Sequence, residues 1–109
     1  MVEMVSALLV NDREETFGTL KPILESQCIV TREAKTCGEA LLSLWGKRPP
    51  HLAFTDVLLA DGNWSDVISL ADKCPLPINV VVVSRQLDVN LYIESMERGA
   101  FDFITPPFE

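Results

Sequence analysis

No apolar run in this 109-residue chain approaches the roughly 20 residues that span a bilayer. Its opening residues also lack the basic, then apolar, then small-residue pattern of a secretory signal. Positive charge is scarce: nine Lys and Arg face sixteen Asp and Glu, a net charge of −7. Phosphate backbones repel such a surface, so direct nucleic-acid binding is not expected, and a basic partner or a divalent cation suits it better. Cysteine is scarce too. Cys28, Cys37 and Cys74 are odd in number and show no C-x-x-C spacing. They read as reduced, small buried hydrophobes in a cytoplasmic protein, not as metal or redox groups. No internal repeat, low-complexity tract or interdomain linker interrupts the chain, which reads as a single domain over residues 1–109.

What is present is a core: 48% of the residues are apolar, enough for one packed interior. Short runs rich in branched residues at 5–10, 28–34, 51–57, 75–84 and 100–105 read as strands. Between them lie segments with apolar residues at helical spacing, over 11–27, 36–50, 64–74 and 87–99. Asn11 or Asp12 is placed to cap the first helix, whose Pro22 predicts a kink. Thr36 and Glu39 have capping-box spacing, and Ala40, Leu41, Leu44 and Trp45 form the expected buried stripe of the second helix. Asp61-Gly62 marks a turn, and Gly99 a helix C-cap. Regular β-α alternation with apolar strands predicts an α/β fold of the flavodoxin-like, doubly wound type. Its five parallel strands would take the order 2-1-3-4-5, with the fifth helix truncated or missing. The chain would then be a module excised from a longer protein whose remainder lies C-terminal.

In an open parallel sheet, sites form beyond the carboxyl ends of the strands. Those ends here carry Asn11-Asp12, Asp56, Ser84-Arg85 and Thr105-Pro106. Two carboxylates, an amide and a hydroxyl therefore converge on one edge. Such hard oxygen donors, completed by water, suit Mg²⁺. A carboxylate beside a bound cation is also a competent nucleophile toward phosphorus. Taken alone, Asp12 reads first as a cap and Ser84 as a turn residue, whereas Asp56 is followed by apolar residues and has no obvious cap to make. His51 has no evident partner, and Trp45 and Trp64 read as helix packing.

Four segments, "ALLVNDRE", "FTDVLLADG", "VVVVSRQ" and "ERGAFDFITPPF", occur in that order. Through them the chain resembles the response-regulator receiver domain over essentially its whole length, and most of all the receivers of the nitrogen-regulator class. The resemblance implies that Asp56 is the phosphoacceptor and that Asp12 is a direct Mg²⁺ ligand. Leu58 would add its backbone carbonyl, and Asn11, in place of the second acidic residue, would reach the metal through water. Ser84 matches the switch hydroxyl and Phe103 the switch aromatic. Pro107 matches the family proline, whose preceding peptide bond is expected to be cis. The implied partners are a histidine kinase, a C-terminal output domain of the ATPase and DNA-binding kind, and a second copy in a homodimer. The implied role is regulatory, not that of an enzyme.

Three positions depart from the pattern. Pro106 stands where the family has lysine, Asn11 removes a negative charge, and Ala60 stands where many receivers have proline. Proline supplies neither charge nor donor, and Arg85 is placed to lend the missing charge. A phosphorylatable receiver and a degenerate receiver that acts as a phosphorylation-independent interaction module are therefore the two competing readings. A flavodoxin-like ligand binder or small hydrolase ranks below both, because acidic "NDREE" stands where a Gly-rich phosphate loop would follow the first strand.

Overall fold

A computed structural model describes residues 4–108, with the side chains of residues 14–16 outside the description. The described residues form seven strands and four helices. They are β1 (Ser6–Val10), α1 (Glu14–Ser26), β2 (Val30–Ala34), α2 (Cys37–Leu44), β3 (Leu52–Asp56), β4 (Leu58–Leu59), β5 (Gly62–Asn63), α3 (Trp64–Asp72), β6 (Asn79–Val83), α4 (Val89–Glu97) and β7 (Asp102–Ile104). Five strands form one parallel sheet in the order β2-β1-β3-β6-β7, which is the expected 2-1-3-4-5 once the small β4-β5 hairpin is set aside. The described residues after β7 contain no fifth helix.

Strand alternation explains the two cores. Successive side chains of β1 point to opposite faces. Leu8 and Val10 join Ala40, Leu44, Val67, Ile68 and Ala71 of α2 and α3 on one face. Ala7 and Leu9 join Phe17, Leu20 and Leu24 of α1 on the other, where Phe108 also packs. Burying a side chain of this size contributes about 1.5–3 kcal/mol each. The central strands β1, β3 and β6 therefore form the most deeply buried layer.

Several expectations need correction. Helix α1 includes Pro22 within its span and is not capped by Asn11 or Asp12. The Asn11 N–H instead extends the β1–β2 ladder to the Ala34 carbonyl at 2.9 Å, so the helix starts later, with Arg13 at its N-cap and no side-chain cap bond. Helix α2 ends at Leu44, which leaves Trp45 at the C-cap and 52% exposed, with its Nε1 donating to the Leu70 carbonyl at 2.9 Å. Thr36 does cap α2 through the Glu39 N–H, while the Glu39 carboxylate accepts from the Lys35 N–H and not from the cap residue itself. His51 has a partner: its Nδ1 accepts the Ser6 N–H at 3.0 Å. Cys28 is exposed, not buried.

Cys28 also closes α1. The Cys28 N–H bonds to the Glu25 carbonyl and the Ile29 N–H to the Leu24 carbonyl, a Schellman ending with Cys28 in the left-handed region at φ 62°. Helix α4 ends in the same way on Gly99 at φ 101°, where glycine carries no steric penalty.

Candidate functional site at the carboxyl edge of the sheet

Register brings the site together. Val10 pairs with Thr55, Asp56 pairs with Val83, and Val83 pairs with Ile104, so four strands end nearly level. Residues just beyond those ends must share one edge. A cleft of about 540 Å³ opens there, lined by Asp12, Arg13, Asp56, Leu58, Ser84 and Arg85 among others.

Asp56 is part-buried at the end of the central strand β3. Its Oδ1 accepts the Val57 N–H at 2.8 Å. Burial pushes its pKa above the usual carboxylate value. The Val57 N–H and the Arg85 charge oppose that shift, Asp12 adds to it, and Arg13 opposes it. The carboxylate is thus held in place but short of compensation, a state that a cation in the cleft would relieve.

Ser84 lies one residue past β6, with its N–H donating to the Ile104 carbonyl at 3.0 Å. Its Oγ donates to the Gln86 carbonyl at 2.7 Å and accepts weakly from the Gln86 N–H at 3.3 Å, a serine turn that fixes the start of the loop to α4. Asp88, a further carboxylate in the cleft, caps α4 by accepting the Leu91 N–H at 3.0 Å.

The hairpin β4-β5 forms the wall after Asp56, where the sequence had suggested only a loop with a turn. It is pinned from two sides. The Asp61 carboxylate accepts the Cys37 and Gly38 N–H groups of α2 at 2.7 and 3.0 Å, which lowers its pKa. At its other end, Asn63 and Asp66 form a reciprocal capping box for α3. Gly62 lies between them, because a Cβ there would fall 2.5 Å from Asp66 Oδ2 and 2.9 Å from Cys37 Sγ. Burial, reinforced by the Asp61 charge, raises the Cys37 pKa to about 11, so this thiol stays protonated and inert.

Not every predicted residue enters the cleft. Asn11 is buried and lines a smaller neighbouring pocket with Phe17, Lys21 and Glu33. Phe103 lies inward in the core and meets Tyr92 edge-to-face, with ring centroids 5.7 Å apart. Pro106 and Pro107 are exposed, joined by a cis peptide bond, and absent from the cleft lining. Arg13 and Asp88 are the charged lining residues that sequence reading missed. The signal for Arg13 was its place directly after Asn11-Asp12.

Among the described residues no group of three His, Cys, Asp or Glu side chains is arranged to hold a metal. Of the expected ligands, Asp12, Asp56 and Leu58 share the cleft, and Asp88 adds a carboxylate that caps α4. Two carboxylates and a carbonyl leave room for water, a hard-oxygen set that fits Mg²⁺.

The profile of the response regulator receiver domain matches residues 7–109. The chain belongs to that family. The receiver shares 33% identity over 104 residues with the nitrogen assimilation regulatory protein NtrX of Azorhizobium caulinodans, covering 93% of this chain and 22% of that protein. It spans about a fifth of that relative's length. Among solved structures, the non-phosphorylated HemR receiver domain of Leptospira biflexa superposes with a TM-score of 0.77 at 30% identity, covering 96% of this chain and 84% of that one. NtrX of Brucella abortus gives 0.81 at 27% identity, covering 98% of this chain and 24% of that one. The receiver thus resembles nitrogen-regulator-like response regulators in sequence and in fold. No helix among its described residues is long and apolar enough to cross a membrane.

Proposed function

We propose that this receiver works in the cytoplasm, accepts a phosphoryl group on Asp56 from a histidine kinase and passes the change to a C-terminal output domain. The observation that carries this reading is the meeting of Asp56, Asp12 and Ser84 around one cleft. An Asp56 carboxylate oxygen attacks phosphorus, the donor's P–N bond breaks, and the electron pair leaves on the imidazole nitrogen. The product is an aspartyl phosphate. Mg²⁺, held by Asp12, Asp56 and the Leu58 carbonyl, would neutralise charge between the carboxylates and the transferred oxygens. Ser84 would give up its bond to the Gln86 carbonyl and donate to a phosphoryl oxygen instead, since a charged acceptor outcompetes a neutral one. The loop to α4 would move with it.

The competing reading, a degenerate receiver that signals without phosphorylation, is favoured by the exposure of Pro106 outside the cleft. Intact mass after incubation with Mg²⁺ and a small phosphodonor separates the two. Slow, partial labelling that disappears in Asp56→Asn is expected. Label that persists in that variant removes Asp56 from the role, and an unlabelled parent favours the degenerate module.

A further inference from the structure

We propose that Arg13 and Arg85 form a paired guanidinium seat for the phosphoryl group on Asp56, in place of the cation that Pro106 does not supply. The inference rests on the phosphoacceptor reading above. Its basis is placement. The sheet neighbours of β3 are β1 and β6. Arg13 follows β1 at the N-cap of α1, and Arg85 follows β6 directly after Ser84. The two arginines therefore flank Asp56 from both sides. They are the only cations among the described residues that line the cleft, and both side chains are exposed at its rim. Both charges already act on the Asp56 carboxylate.

Charge balance gives the pair a task. The lining carries Asp12, Asp56 and Asp88 against Arg13 and Arg85, so it is short of positive charge before any phosphoryl group enters. A guanidinium presents a planar fork of donors that matches two phosphoryl oxygens, which an ammonium does not. Arg85 adjoins the Ser84 hydroxyl, so one side of the seat combines a fork with a neutral donor. Arg13 holds the N-cap of α1 with an extended backbone, and its exposed side chain lines the cleft. A cation from β7, the edge strand, would approach from one side only.

The test is binding of beryllium fluoride with Mg²⁺, followed by amide shifts, in the parent, Arg13→Gln, Arg85→Gln, the double variant and the distant control Lys73→Gln. Each arginine change should weaken binding by about tenfold or more, the double variant further, and the control not at all. Arg85→Lys, which keeps the charge but loses the fork, should fall between parent and Arg85→Gln. Unchanged melting temperatures would assign the loss to the seat and not to the fold. If the parent binds in an Asp56-dependent way and both glutamine variants bind within twofold of it, the arginine seat is wrong while the receiver reading stands. If the parent binds none, the reading falls and the seat with it.

Discussion

Gly62→Ala is expected to destabilise the domain by about 1–3 kcal/mol, although it adds a single methyl group at a hairpin. The structure sets the size. The new Cβ would lie 2.5 Å from Asp66 Oδ2, 3.3 Å from Asp66 Cγ and 2.9 Å from Cys37 Sγ. Asp66 cannot yield freely, because the same Oδ2 accepts the Asn63 N–H at 2.9 Å in the capping box of α3. Moving it gives up a cap, which costs about 1 kcal/mol. Keeping it forces a shift of the packed hairpin, which costs about 1–3 kcal/mol. Urea unfolding followed by circular dichroism measures the total. A double-mutant cycle isolates the cause: in an Asp66→Ala background two of the three close atoms are gone, so Gly62→Ala should cost less than half as much. A cost below about 0.5 kcal/mol in the parent background, or equal costs in both, would refute the steric argument. The hairpin carries the Leu58 carbonyl, so Mg²⁺ affinity should fall alongside stability.

Two further outcomes follow from helix ends. Cys28 holds the left-handed position that Gly99 holds in α4, so Cys28→Gly should stabilise the chain by about 0.5–1 kcal/mol; a lower urea midpoint would contradict this. Asp61 is the charged acceptor at the start of α2, and its folded pKa lies below the ordinary value. A depressed carboxylate contributes stability above its unfolded pKa and loses it as pH falls through the folded one. Asp61→Asn should therefore be less stable than the parent at pH 7, and the gap should close below about pH 4. A gap that stays constant from neutral to acid pH would show that the charge plays no part.

The fold was legible because its signals were redundant. Four valines in β6 and the run Ala7–Val10 in β1 bury both faces of a strand, which only a covered parallel sheet accommodates. The failures sit where a local rule met a tertiary competitor. Trp45 has the right spacing for the buried stripe, but α2 stops one residue earlier and turns it out. Asp61-Gly62 does mark a turn, yet the pairing of Leu58–Leu59 with Gly62–Asn63 depends on Asp61 reaching across to α2, a contact more than twenty residues away in sequence. His51 looked partnerless because Ser6 is 45 residues away, on the strand beside β3.

The candidate site divides along the same line. Asp12, Asp56 and Ser84 could be named from strand ends because strand direction alone brings those ends to one edge, whereas Leu58 was named only through the family resemblance. Arg13 could not, since its place depends on where α1 begins. Had Asn11 or Asp12 capped the helix, residue 13 would have entered its first turn. The backbone chose differently. The Asn11 N–H continues the β1–β2 ladder to the Ala34 carbonyl, and Asn11 is buried and lines the pocket that Phe17 also lines. The helix then had to start at Glu14, with Arg13 extended at φ −131° on the rim of the cleft. The start of α1 thus decides which residue follows Asp12 into the lining of the cleft that holds Asp56, and that residue is a cation.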